Sequence, residues 1–228
     1  MPSDALRYSF SIPNYLKVRA ADTLPLPALK QGRIPGLELI DAPAVPLPGS
    51  DWVRLKPRMT GICGSDISML TNRSGPSLMP FVSFPLVPGH EVVADIVETG
   101  PDVENLAVGQ RVILMPVISC TMRGLEPCRS CASGQPGLCE RAAEGELSAG
   151  MLIGFCRDLP GGWSRDMVAH RSQVVLIPDE ISDRAAAMIE PFSVAVHAVL
   201  NNPPEPDDQI LIIGGGQIGL LALAALRM

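Results

Sequence analysis

No cluster of lysine and arginine occurs anywhere in this sequence, and its 18 basic residues are outnumbered by 24 acidic ones, for a net charge of −6. A mildly acidic chain without a basic patch offers no electrostatic footprint to a nucleic-acid backbone or an anionic membrane. No apolar run is long enough to span a bilayer, because the longest, near the C-terminus, is broken by glycines at 214–216. The first residues, MPSDALRYSFSIP, lack the basic segment and apolar stretch of a secretory signal. A cytoplasmic location and reduced cysteines are therefore expected. No internal repeat is visible. Histidine is also scarce, with three in 228 residues, which makes a histidine in an unusual local setting informative.

What the chain does contain is turn chemistry. Its 21 glycines and 23 prolines sit mostly in the first two thirds, which predicts short strands joined by turns there and helix later. Residues 52–59, 91–98, 111–117 and 173–177 read as strands. The first 50 residues, with Pro25, Pro27, Pro35, Pro43, Pro46 and Pro48, read as irregular apart from a strand around 37–40. Gly161 and Gly162 mark a turn. Residues 182–202 read as an alanine-rich helix capped by Ser182 and disturbed at Pro191, followed by a linker at 201–208. The expected division is a mixed α and β domain over 1–202 and the start of a second domain over 203–228.

Four cysteines carry the strongest chemical signal. Cys120, Cys128, Cys131 and Cys139 surround a CxxC core, and two thiolates two residues apart can reach one tetrahedral ion from a tight turn. Two flanking cysteines close the coordination sphere and leave no position for water, so such a site is structural. The lobe at about 118–142 is rich in turn residues and poor in apolar ones, which suits a zinc-folded segment. Two disulfides or an iron centre are the alternatives.

A second constellation is looser. Cys63 stands in GICGSD and His90 in PGHE, beside Glu91. Cysteine, histidine and carboxylate form a set suited to a zinc that keeps one position open for chemistry. Glu190, ahead of Pro191, is a further candidate carboxylate. Each alone reads as an ordinary residue: a buried cysteine, a hydrogen-bonded turn histidine, a helix acid. Finally, the apolar run at 209–213 leads into Gly214, Gly215, Gly216, Gln217, Ile218 and Gly219 and then an apolar helix. Strand, glycine turn and helix in that order let a backbone approach a pyrophosphate at a helix N-terminus.

These motifs together, GICGSD, PGHE, the cysteine lobe, the glycine pair, IEP at 189–191 and IIGGGQIG, resemble the zinc-dependent medium-chain dehydrogenase/reductase family in their order along the chain. The IEP and AVHA segment looks most like the polyol and threonine dehydrogenase branch. The resemblance implies a GroES-like, partly open β-barrel catalytic domain followed by the first strand-helix unit of a Rossmann domain. It implies one catalytic and one structural zinc, NAD or NADP, a small alcohol or carbonyl substrate, and a homo-oligomer. By the same resemblance Cys63, His90 and Glu190 would hold the catalytic zinc, with Glu91 a direct or exchanging ligand. Ser65 would begin a proton relay and Asp66 would orient His90. Gly214, Gly216 and Gly219, with Gln217 and Ile218, would cradle the cofactor. The seven residues between Cys120 and Cys128 depart from the family's usual CxxC there and set Cys120 apart. Met228 stands nine residues after Gly219, so a C-terminally truncated chain is expected, with an inactive zinc-binding fragment as the alternative to an active dehydrogenase.

Overall fold

A computed structural model describes residues 3–23 and 34–228. The expectation for Pro25 and Pro27 lies outside the described residues. Its centre is a five-stranded antiparallel sheet built from β3 (Trp52–Thr60), β4 (Val92–Thr99), β5 (Arg111–Leu114), β6 (Met167–His170) and β7 (Val174–Leu176). Their order in the sheet is β6-β3-β4-β5-β7, and the sheet curls into a half-barrel, as the resemblance to a GroES-like domain leads one to expect. Leu55, Ile96, Leu114 and Met167 are fully buried inside it, joined by Ile153 and Leu159 from the long connection before β6. Each such side chain contributes about 1.5–3 kcal/mol on burial. Pro57 interrupts β3 without cost to β6, because their pairing stops at Leu55 opposite Met167, and the register against β4 shifts between Pro57 and Met59.

Four strands fall where alternation and turn residues place them, with ends moved by one to three residues. The longest trim is at β5, which stops before Pro116. The N-terminal region differs from its expectation of irregularity. It contains β1 (Ser3–Tyr8), paired antiparallel to β2 (Leu37–Ala42), and between them α1 (Ile12–Thr23). Pro13 is compatible with α1 because it occupies the first turn, where no N–H partner is required. β1 is tied to the barrel by the Leu6 N–H donating to the Trp163 carbonyl at 2.9 Å and the Tyr8 N–H to that of Leu86 at 2.7 Å.

The alanine-rich segment also differs in detail. It splits at Met188 into α4 (Asp183–Ala187) and α5 (Ile189–Asn201), while Pro191 sits in the first turn of α5. The proline is thus accommodated by a new helix start. α6 (Gln217–Ala225) forms as expected and packs against α5. Residues 209–213 run without a hydrogen-bonded neighbour strand among the described residues. Leu211 and Ile213 are 83% and 91% exposed, since a parallel strand acquires its structure only from a partner. No helix among the described residues is long and apolar enough to cross a membrane.

α4 is clamped to the sheet by charge. Asp183 accepts from Arg58 of β3 at 2.9 Å and from Arg111 of β5 at 2.9 Å, and Arg111 also donates to the carbonyls of Pro178 and Ile181. The hydrogen bond from Arg58, aided by Arg111, holds the Asp183 pKa below its usual 3.8. A depressed carboxylate pKa contributes stability above the unfolded value and loses it as pH falls through the folded one. Asp183→Asn is therefore expected to melt below the parent at neutral pH, with the gap closing as pH falls through and below 3.8. A gap that is constant with pH in thermal melts would remove the ionic account.

Candidate metal centres

The antiparallel pairing of β3 and β4 explains why Cys63 and His90 meet. Thr60 pairs with Val92, and the Gly61 N–H donates to the Glu91 carbonyl at 2.8 Å. The end of one strand and the start of the other therefore lie at the same edge of the sheet. Cys63 follows three residues after Thr60, at the start of α2 (Gly64–Leu70), and His90 precedes Val92 by two. Donor atoms of Cys63, His90 and Glu91 lie within 4.8 Å of one another. Gly61 leaves room for the Glu91 carboxylate at this edge, since a Cβ there would stand 1.9 Å from one of its oxygens and displace it. The glycine pair at 161–162 does more than turn the chain. A Cβ on Gly161 would meet the Gly89 and Pro88 carbonyl oxygens at 2.3 and 2.4 Å, so it permits the loop bearing His90 to close against its neighbour.

The imidazole of His90, 3% exposed, is addressed from both nitrogens. Asp66 Oδ1 stands 3.6 Å from Nδ1 and Ser65 Oγ 3.5 Å from Nε2. Asp66 is itself fixed by accepting from the Cys63 N–H at 2.9 Å through its other oxygen. Asp66 Oδ1 and His90 Nδ1 are buried and have no closer partner. An Nδ1–H turned toward Asp66 leaves the Nε2 lone pair for a cation. Burial works against charge on His90, but Asp66 and Cys63 outweigh it and lift its pKa to about 10. The hydrogen bond from His90 pulls the Cys63 thiol down, whereas burial pushes Glu91 up. Buried, converging donors of this kind fit a divalent ion.

Glu190 occupies the second position of α5 and stands outside the 4.8 Å set. Burial raises its pKa, and the charges of His90, Glu91 and Asp66 also act on it, which puts it in their vicinity. α5 thus brings Glu190 toward the barrel edge and also packs against α6.

All four lobe cysteines come together, their sulfurs within 4.8 Å of one another. A tetrahedral zinc with bonds near 2.3 Å would place its sulfurs about 3.8 Å apart, and Cys120 and Cys139 are 3.6 Å apart. All six cysteines are unbonded in this structure, and the 3.6 Å between the Cys120 and Cys139 sulfurs is well beyond a disulfide bond of about 2.05 Å. The long gap after Cys120 is taken up by a 3-10 turn at Thr121–Arg123 that leads back, so the Cys120 sulfur accepts from the Cys128 N–H at 3.4 Å. Sequence reasoning missed one residue of that turn, the buried Arg123, since a lone arginine carries no signal of burial.

The glycine turn at 214–219 is tight at its two ends. Gly214 adopts φ 110°, and a Cβ on Gly219 would stand 2.1 Å from the Gly214 carbonyl oxygen. Nothing crowds Gly214, Gly215 or Gly216, which suits close approach by a pyrophosphate.

The family model for the alcohol dehydrogenase GroES-like domain matches residues 49–179. L-galactonate-5-dehydrogenase of Escherichia coli K12 is 34% identical over 180 residues, covering 79% of this chain and 47% of its own. Sorbitol dehydrogenase of Bacillus subtilis 168 is 34% identical over 191 residues, covering 82% and 49%. A solved zinc-binding dehydrogenase from Sinorhizobium meliloti, bound to NADP, superposes with a TM-score of 0.73 at 25% identity over 100% of this chain and 53% of that one. The chain spans about half the length of the curated relatives it matches. The family match over residues 49–179 and the 34% identity to these relatives over 79% and 82% of its length show that the chain belongs to the alcohol dehydrogenase GroES-like family of zinc-dependent medium-chain dehydrogenases.

Proposed function

We propose that this chain forms the catalytic domain and the first part of the cofactor cradle of an alcohol or polyol dehydrogenase using NAD or NADP. The observation that carries this is the convergence of Cys63, His90 and Glu91 at one sheet edge, with Asp66 and Ser65 on the two nitrogens of His90. Cys63 and His90, with Glu91 or Glu190, would hold a zinc ion that supplies Lewis acidity toward a substrate oxygen. Oxidation removes a proton from that oxygen and a hydride from its carbon. Ser65 is exposed while its hydroxyl faces the His90 ring, which suits it to carry the proton outward. Asp66 keeps the imidazole oriented. The turn from Gly214 to Gly219, with Gln217 and Ile218, would hold the dinucleotide, which would supply the hydride acceptor. Cys120, Cys128, Cys131 and Cys139 would hold a second zinc with no open position.

A second reading is favoured by the exposure of Leu211 and Ile213 beside the glycine turn: the chain holds its metals without enclosing a dinucleotide. Calorimetric titration of NAD and NADP into the zinc-loaded protein separates the two, followed by reduced-nicotinamide absorbance with a panel of secondary alcohols and polyols. Saturable binding and turnover support the dehydrogenase. Zinc at both centres with neither binding nor turnover would leave only the second reading.

A further inference from the structure

Arg123 lies in the 3-10 turn that follows Cys120 and is 0% exposed, a situation rare for arginine unless it is paired. No carboxylate pairs with its guanidinium among the described residues. Nη1 donates to the carbonyls of Glu144 and Leu147, each at 3.0 Å, and of Ser148 at 3.3 Å, while Nη2 donates to that of Gly150. Nε is buried with no acceptor. Neutral carbonyls satisfy donors but do not cancel a unit charge, and an uncompensated buried charge costs several kcal/mol.

Burial works against the charge of Arg123, while the sulfurs of Cys156, Cys139 and Cys120, followed by the Asp158 carboxylate, lie close enough to favour it. Two of the three belong to the four-sulfur cluster. Four thiolates around one divalent ion leave an excess negative charge that needs a cation nearby. The other arginines of the lobe are poor candidates: the Arg129 side chain is 91% exposed beside Glu140 and Arg141 is 42% exposed beside Glu144, where solvent screens them. Arg123 is also held rigidly. Its N–H donates to the Cys120 carbonyl and its own carbonyl accepts from the Glu146 N–H, both at 3.0 Å.

We propose that Arg123 is a positioning residue whose buried charge offsets the excess negative charge of the four-thiolate centre and so sets how tightly the lobe holds its metal. This rests on the reading of the cluster as a zinc centre. The test uses the full chain carrying Cys63→Ser, so that the other centre is disabled, and compares Arg123→Lys, Arg123→Gln and Arg123→Met. Zinc affinity is measured by competition with a chromogenic chelator, and zinc release is followed against pH. If charge matters, Lys stays within about threefold of the parent while Gln and Met lose about 10–100-fold, the range seen when groups supporting metal ligands are removed. The pH of half-release rises for Gln and Met but not for Lys.

Gln holding zinc as tightly as Lys would overturn the role of Arg123 and leave it a clamp for carbonyls. Should Gln and Met fail to fold, Lys decides alone, because it keeps the charge and loses the fork: retention of zinc supports the proposal and its loss overturns it. A parent that binds no zinc at the four cysteines overturns the metal reading itself, a result distinguishable from equal binding by Lys and Gln.

Discussion

Cys63→Ser is expected to hold one zinc ion where the parent holds two, and to show no alcohol oxidation. Serine at this position keeps the size and the backbone hydrogen bond to Asp66 but offers a hydroxyl that stays protonated at neutral pH, whereas thiolate is the form that ligates. Metal analysis of dialysed protein reads the effect directly. Asp66→Asn provides the graded comparison: His90 loses its orienting carboxylate but no ligand is removed, so affinity at this centre should fall about 10–100-fold rather than vanish. Without an ion, burial disfavours charge on His90 but Asp66 and Cys63 raise its pKa to about 10, so zinc must displace a proton from it. Occupancy of this centre should accordingly drop as pH falls. A wild-type protein with a single zinc ion would sink the two-centre account.

How much of this was legible depends on whether a feature is local. β3, β4, β5 and β7 announced themselves through short apolar and β-branched runs ended by turn residues. β1 and α1 did not, because the prolines of the first 50 residues dominate that stretch, and β1 derives its pairing from residues 37–42 rather than from its own pattern. The apolar run at 209–213 reads as a strand, yet a strand is a property of two segments, and among the described residues it has no partner. Cys63, His90, Glu91 and the four lobe cysteines were readable because ligand chemistry restricts residue type and spacing. Asp66 and Ser65 were reached only through family resemblance. Arg123 was out of reach, since its burial is created by residues 144–150 folding over it.

Removing the metal from the four-cysteine centre should produce the largest structural loss. The lobe consists of 3-10 turns at Thr121–Arg123 and Pro136–Leu138 and the four-residue helix α3 (Arg129–Ala132), and the latter two bury nothing. Leu138 is 65% exposed. Apart from Met122, which packs against the barrel core, and the buried Ala142, burial of apolar surface does little for this segment, whereas zinc binding in zinc-folded peptides supplies about 10–16 kcal/mol. Cys131→Ser, or a strong chelator, should abolish amide protection between Cys120 and Ala142. The boundary is set by Ile118, which is buried and donates to the Met151 carbonyl at 2.9 Å, beside the bridge from Val117 to Leu152. Those contacts belong to the barrel and should survive, as should the β3–β4 ladder, which carries Cys63, His90 and Glu91. Hydrogen exchange should thus show a lobe that melts while the sheet stays closed. Protection that persists through the lobe after zinc removal would mean that Arg123 and its four carbonyl contacts fold the segment without metal, and the zinc would then be a passenger rather than its organiser.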